Sequence, residues 1–183
     1  QLATGDAFNI FVFLEISSLS AYALVAMGAG RDRRALPAAY NYLILGTIGA
    51  TFYTIGIGFL YMLTGTLNLA DIADRLPAVA DNHTAFAALA FIAIGLFLKM
   101  ALFPLHFWLV PAYSYAPSAV STLMAATATK VSAFILIRLV FGVFGVDFPG
   151  MLDLLGIVLI SLGAVGAIVG TVAAILETDL KRI

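Results

Sequence analysis

The hydrophobic pattern of this chain is a series of long apolar runs separated by short polar interruptions. The interruptions are the arginine cluster Arg31, Arg33 and Arg34, the acidic stretch 64–82, the turn 145–150 and the charged residues from Glu177 onward. Each run is close to or longer than the roughly 20 residues that cross the hydrocarbon core as a helix, whereas a barrel would show alternating strands of about ten. The pattern predicts spans over residues 8–27, 40–63, 84–113, 118–144 and 151–176, an all-α integral membrane fold of about five transmembrane helices.

The third run is the unusual one. At 1.5 Å per residue it would be about 45 Å long, too long for a core of about 30 Å. A break is therefore expected between Lys99 and Pro111, with Pro104 and Pro111 as its two breaking residues. Proline removes a backbone hydrogen bond, so Pro104 frees a carbonyl close to Lys99. Pro37 falls near the start of the second span, where the missing N–H costs nothing. The fifth span is rich in Gly and Ala, which suits close helix packing. Gly56-Ile-Gly58 reads as packing too. Residues 64–82 read as a loop holding Asp71, Asp74, Asp81 and Arg75.

Lysine and arginine in short loops set the orientation. The arginines after the first span and Lys181 and Arg182 after the fifth fall on one side for an odd number of crossings. The first residue is then outside and the last is cytoplasmic, a multi-pass arrangement in a bacterial-type cell (inner) membrane.

Composition agrees: 63% of the 183 residues are hydrophobic and 10% are charged, against about 25% charged in soluble domains. Mean hydropathy is +1.09. The net charge of −1 offers no footprint for nucleic acid. The chain has no cysteine, which excludes disulfides, iron–sulfur clusters and thiolate metal sites. No metal site, cofactor or catalytic residue is expected, since GxGxxG, P-loop and HExxH patterns are absent and His83 and His106 are far apart in sequence. Opening almost directly in a span and closing on charge, the sequence reads as a fragment of a longer chain.

Ionisable residues inside spans then become the candidate chemistry, because charge at membrane depth costs roughly 2.5–3.5 kcal/mol on insertion scales. Glu15 lies in the first span, with Ser18 and Tyr22 at i+3 and i+7 on the same polar face. Lys99 precedes the break and is expected within about 4–7 Å of Glu15, where opposite charges control each other's protonation. A fixed structural ion pair is the alternative. His106, seven residues after Lys99, would face the same side if helical geometry resumed and would relay protons; a merely hydrogen-bonded histidine is the alternative. Lys130 sits mid-span with Thr127 at i−3 and is expected to face the bundle interior, since it is too deep to snorkel out. Arg138 lies further towards the outside and reads as snorkelling.

Five stretches carry a resemblance to a known family. Phe103-Pro-Leu-His-Phe-Trp-Leu109, Ala112-Tyr-Ser-Tyr-Ala-Pro-Ser-Ala-Val-Ser121 and Ala125-Ala-Thr-Ala-Thr-Lys130 resemble the proton-conducting antiporter-like subunits of respiratory complex I, Mrp-type Na⁺/H⁺ antiporters and membrane-bound hydrogenases. Glu15-Ile-Ser-Ser-Leu-Ser-Ala-Tyr22 resembles that family's glutamate-bearing helix, and Glu177-Thr-Asp-Leu-Lys-Arg-Ile183 the start of its charged post-helix motif. The wording is most similar to the D subunit of Mrp-type antiporters. The resemblance implies that Glu15 and Lys99 are the family's glutamate–lysine pair and that Lys130 is its central relay lysine. It also implies a larger inverted-repeat bundle, of which this chain covers most of the first repeat and the start of the second. One departure is visible. The family's Trp-Leu-Pro-(Asp/Asn)-Ala-(His/Tyr) reads here Trp108-Leu-Val-Pro-Ala-Tyr113, with the proline one place late and the polar residue gone.

The expected function is that of a subunit in a multisubunit ion-translocating complex, conducting protons in cation/proton antiport through Glu15, Lys99, Lys130 and His106. Ser18, Tyr22 and Thr127 are the supporting polar groups. Its expected partners are other hydrophobic subunits, the lipid bilayer, protons and, as the coupled cation, Na⁺. The alternatives are a proton-pumping membrane subunit of an NADH:quinone oxidoreductase or membrane-bound hydrogenase, whose redox sites lie on other subunits, and a structural scaffold.

Overall fold

The structure, a computed structural model, describes residues 3–149 and 151–178. Asp179, Lys181 and Arg182, used above for the closing motif and for orientation, lie outside the described residues.

Helix α1 (Ala7–Ala26) begins where the Asp6 carboxylate accepts from the Asn9 N–H at 2.8 Å, which satisfies one of the helix's free donors. A 3₁₀ turn over Met27–Gly30 ends it. The arginine loop follows, and Arg34 pairs with Asp32 at 2.7 Å. Helix α2 (Ala35–Thr64) is long and closes at Gly65, which adopts a left-handed conformation.

The acidic stretch is not all loop. Asn68 caps a short helix, α3 (Leu69–Arg75), and a 3₁₀ turn over Leu76–Val79 continues it. Leu69, Ile72 and Leu76 turn inward and are buried. Beside it the N-terminal segment is held by Ala7 N–H donating to Leu67 O and Leu69 N–H donating to Gly5 O. Arg138 donates to the Thr4 carbonyl at the same end. The residue read as snorkelling outward is thus half-buried and tied to the segment before α1.

Helix α4 (His83–Met100) is capped by Asn82 and is the most buried of the spans. It packs chiefly on α2, backbone against backbone. A Cβ on Gly95 would stand 2.6 Å from the Gly49 carbonyl oxygen, and one on Gly56 would stand 2.8 Å from the Ala88 oxygen. Small residues permit this approach, and in lipid it replaces hydrophobic burial as the force joining helices. Gly58 meets nothing within 4 Å and takes no part.

The expected break is present. After α4 the chain turns through Ala101, at φ 56°, and runs irregularly to Trp108 before α5 (Leu109–Tyr115) resumes. Pro104 lies inside the break, joined to Phe103 by a cis peptide bond. Pro111 does not break a helix. It stands in the first turn of α5, where its missing N–H removes no intrahelical bond.

Helix α6 (Ser118–Leu139) extends through a π-helical turn over Val140–Phe144. A second π-helical turn, Met151–Gly156, leads into α7 (Ile157–Leu176). Among the described residues, five helices are long and apolar enough to cross a membrane. The close packing expected of the fifth is not seen among the described residues. None of its residues is buried, and of Gly163, Gly166 and Gly170 only Gly166 approaches a neighbour, Phe103.

Among the described residues, the buried apolar side chains form two separate clusters. One contains Leu14, Leu96 and Phe97; the other contains Tyr22, Tyr42 and Trp108. In sequence, Glu15 and Ser18 fall between Leu14 and Tyr22, and Lys99 between Phe97 and Trp108, so the intramembrane polar groups occupy the level between the two cores.

Candidate functional site

Three side chains meet at that level. Lys99 is the penultimate residue of α4, and its Nζ donates to Glu15 Oε1 at 2.7 Å and to Ser18 Oγ at 2.9 Å. Ser18 in turn donates to the Leu14 carbonyl at 2.7 Å. Lys99 is 8% exposed. The pair is therefore in direct contact rather than at the 4–7 Å expected. Where both groups are removed from water, an unbridged gap would leave their desolvation uncompensated, and a charge-assisted hydrogen bond is roughly twice as strong as a neutral one.

The break next to Lys99 is closed by a residue that sequence reading quoted only as part of a motif. Trp108 Nε1 donates to the Leu98 carbonyl at 2.9 Å, an oxygen that also accepts from Ala101 N–H at 3.2 Å. The indole stacks on Tyr42 at 4.2 Å and 6°, and Tyr42 meets Tyr22 edge-on at 4.5 Å. The signal for Trp108 was available. It is the chain's only tryptophan, and a buried indole N–H needs an acceptor such as the carbonyls that a break exposes.

A cleft of about 430 Å³ opens beside the pair, between α1, α2, α4 and α6. Ser17, Ser18, Lys99, Trp108, Thr127 and Ser132 are among its walls. At about 30 Å³ of liquid volume each, it has room for on the order of ten waters. The lining mixes an ammonium, hydroxyls and apolar groups, a setting in which water can carry protons between fixed donors and acceptors.

The remaining candidates are placed differently. Thr127 does line the cleft, with its hydroxyl donating to Leu123 O at 2.8 Å. Lys130 does not face the interior of the described bundle. It is an exposed residue of α6 that is not among the walls of the cleft, and its Nζ folds back onto the Ala125 carbonyl. Among the described residues no carboxylate lies within ion-pair distance of Lys130. His106 does not share the cleft of Lys99, because the helix does not resume between them. Its ring is stacked between Phe103 and Phe107. It lines a separate cleft of about 310 Å³ with Pro111, Ser114, Tyr115 and Glu177.

Outside the spans, Arg34 is the main cause that holds the Asp32 carboxyl below its ordinary range, through a side-chain hydrogen bond and a backbone one. The Arg34 guanidinium also lies over the Tyr115 ring at 4.8 Å. The loop between α1 and α2 is thereby fastened to the end of α5.

Residues 4–183 match the family model described as NADH:quinone oxidoreductase/Mrp antiporter, transmembrane. The NADH-quinone oxidoreductase subunit N of Desulforudis audaxviator is 50% identical over 180 residues, which are 98% of this chain and 35% of that protein. A protein of Staphylococcus aureus named as antiporter subunit mnhD2 is 34% identical, again over 98% of this chain and 35% of its own length. Among solved structures, a chain of the membrane-bound sulfane sulfur reductase, an archaeal respiratory membrane complex, superposes with a TM-score of 0.90 at 32% identity, covering 98% of this chain and 36% of that one. The chain thus spans about a third of the length of the curated relatives it matches.

Proposed function

The chain belongs to the NADH:quinone oxidoreductase/Mrp antiporter transmembrane family, and from that premise we propose that it conducts protons within a multisubunit ion-translocating membrane complex. The observation that carries this reading is the buried Lys99 ammonium, bonded to Glu15 and Ser18 at the wall of a partly polar cleft. While paired, the two charges neutralise each other at moderate cost. If the Glu15 carboxylate swings away, an uncompensated ammonium at membrane depth is expensive to keep, and release of its proton into the cleft removes that cost. Return of the carboxylate restores the proton. The broken helix supports this use, since irregular backbone at membrane depth is tolerated where it lines a polar cavity.

Lys130 is the proposed next carrier, three residues beyond Thr127 on α6. His106 and Glu177 would serve proton exchange at the other cleft. The partners are other hydrophobic subunits and the bilayer, with protons as cargo and Na⁺ as the coupled cation in the antiport form. The arginine loop would face the cytoplasm of a bacterial-type inner membrane.

The test is proton flux in vesicles containing the assembled complex, read with a pH-sensitive dye. Glu15→Gln and Lys99→Ala should each abolish it, and near wild-type flux in both would overturn the proposal. A second reading, a proton-translocating subunit of a redox-driven complex, is favoured by the 50% identity to an NADH-quinone oxidoreductase subunit and the 0.90 TM-score with a respiratory complex. Flavin and iron–sulfur subunits co-purifying with the chain would select it over antiport.

A further inference from the structure

The loop between α1 and α2 carries four charged side chains, Arg31, Asp32, Arg33 and Arg34. Two of them cancel. The Asp32 carboxylate accepts from both the side chain and the N–H of Arg34, and the Arg34 guanidinium lies over the Tyr115 ring. Arg31 and Arg33 are exposed, and their side chains make no hydrogen bond or ion pair among the described residues. The loop therefore displays two uncompensated guanidinium groups.

The backbone that holds them is ordered by its own bonds. Arg31 N–H and Asp32 N–H both donate to Gly28 O, at 2.9 and 3.0 Å, and Leu36 N–H donates to Arg33 O at 3.2 Å. Gly28 itself sits where a Cβ would collide with the Tyr115 carbonyl oxygen. An anion that reaches the two arginines finds a loop already in place. Guanidinium suits a phosphate, which it can hold through two parallel N–H bonds.

A second observation lies on α2. Leu36, Tyr40, Ile44 and Ile48 are all exposed. Their spacing of four residues makes them one slanting ridge of the helix surface, and the ridge begins one turn after Arg33. From Leu36 to Ile48 it rises about 18 Å at 1.5 Å per residue, close to the depth of one leaflet of a hydrocarbon core about 30 Å thick. Tyr40, near its top, is the kind of amphipathic ring that favours the headgroup level. A free phosphate has no use for such a ridge, and an acidic protein surface would set charge where the ridge offers none. We propose that Arg31 and Arg33 hold the phosphate of an anionic phospholipid whose acyl chains lie along the ridge from Leu36 to Ile48. A zwitterionic lipid brings its own cation beside the phosphate and gains less from the two arginines. The site is apart from the Glu15–Lys99 pair and does not depend on the proton-switch reading.

The test uses the assembled complex in phosphatidylcholine vesicles doped with a trace of photoreactive phospholipid, with labelled peptides mapped by mass spectrometry. Photoreactive phosphatidylglycerol should label residues 36–48 more heavily than photoreactive phosphatidylcholine does. Each basic residue near a membrane surface is worth about fivefold in binding an anionic lipid, or about 1 kcal/mol at about 1.4 kcal/mol per tenfold. Arg31→Gln combined with Arg33→Gln should therefore cut phosphatidylglycerol labelling by roughly tenfold or more and leave phosphatidylcholine labelling unchanged. Arg31→Lys combined with Arg33→Lys, which keeps both charges, should retain most of it. Unlabelled phosphatidylglycerol should compete, and inorganic phosphate at the same concentration should not. Equal labelling by the two lipids, labelling undiminished in the glutamine variant, or equally strong competition by inorganic phosphate would each overturn the proposal. Absence of label from residues 36–48 in wild type would give the face to a partner subunit and overturn it too. If the glutamine variant does not assemble, salt decides. Phosphatidylglycerol labelling of wild type should fall as salt screens the arginines, and labelling indifferent to salt would reject the site.

Discussion

The indole N–H of Trp108 reaches back across the helix break to the carbonyl of Leu98, at 2.9 Å. That bond spans the irregular residues between α4 and α5 and fixes the geometry in which Lys99 presents its ammonium. Trp108→Phe keeps most of the stacking on Tyr42 and removes the donor. It should lower stability by about 0.5–1.5 kcal/mol, the net worth of one hydrogen bond, since the Leu98 oxygen keeps its bond from Ala101 N–H. Heat denaturation of the purified complex measures this. Flux should fall more than stability, because the break would loosen beside the pair.

The Glu15–Lys99 pair should behave asymmetrically under substitution. Removing one partner leaves a buried charge unbalanced, which costs about 3–5 kcal/mol. Removing both charges leaves none. The double variant Glu15→Gln with Lys99→Met should therefore be more stable than either single variant, and as inactive as both. A double-mutant cycle on unfolding, with flux measured in parallel, separates the structural role of the pair from its transport role. A double variant no more stable than the better single one would show that the two charges do not compensate each other.

Helix contact between α2 and α4 rests on bare backbone. A Cβ on Gly95 would stand 2.6 Å from Gly49 O and 2.7 Å from Tyr53 N, with no flexible side chain to give way. Gly95→Ala should push the helices apart, destabilise the subunit by about 1–3 kcal/mol as overpacking does, and impair assembly. Gly58→Ala, where nothing lies within 4 Å, should be neutral or slightly stabilising, since Ala favours helix over Gly by roughly 1 kcal/mol. Detergent-solubilised yield and melting temperature compare the two.

Much of this was legible in the sequence, because a bilayer writes its thickness into apolar run length. The five spans and the interruption after Lys99 follow from that alone. Glu15 and Lys99 could be paired on paper because each is too costly at depth without the other. What failed depended on helical phase or on local capping. His106 was assigned to the Lys99 side by counting seven residues, but the eight residues from Ala101 to Trp108 are not helical, and the count lost its meaning. Pro111 was read as a breaker and instead opens a helix, since the residue's position relative to a helix start decides its effect. Helix α3 was hidden in an acidic loop, although Asn68 followed by Leu69, Ile72 and Leu76 is a readable cap and face. Lys130 was assigned to the interior from depth alone; within the described bundle it is exposed, and in a chain that spans about a third of its relatives' length that exposure does not test the assignment.

The Asp32–Arg34 pair provides a pH prediction outside the spans. Arg34 lowers the Asp32 carboxyl's affinity for a proton in the folded state. A group lowered in this way adds stability above its ordinary range, and the gain is lost as pH falls through the lowered value. Wild type and Asp32→Asn should thus differ slightly in melting temperature at neutral pH. The difference should shrink as pH drops below the usual carboxylate range. Because both side chains are solvent-accessible, added salt should reduce it as well. No difference at any pH would place the role of Asp32 in accepting the Arg34 N–H, which Asn can still do, rather than in its charge.

Substitution of Lys130 tests whether the proposed route leaves the first cleft through α6. It is exposed in the described bundle and bonds only to the Ala125 carbonyl, so little of the local fold depends on it. Substitution should change stability by no more than about 0.5 kcal/mol, as at other surface positions. Transport is a different matter if the residue carries protons. Lys130→Ala should cut flux by roughly tenfold or more, equivalent to about 1.4 kcal/mol on the rate-limiting barrier. Lys130→Arg keeps the charge and the reach to the carbonyl, but guanidinium does not give up its proton in proteins. A purely electrostatic role would therefore be rescued by Arg, and a carrier role would not. The assay is dye-monitored flux in vesicles containing the assembled complex, with subunit assembly verified on the same preparation. Impairment by both substitutions supports a carrier. Full activity in Lys130→Arg reduces Lys130 to a fixed positive charge, and full activity in both removes it from the route.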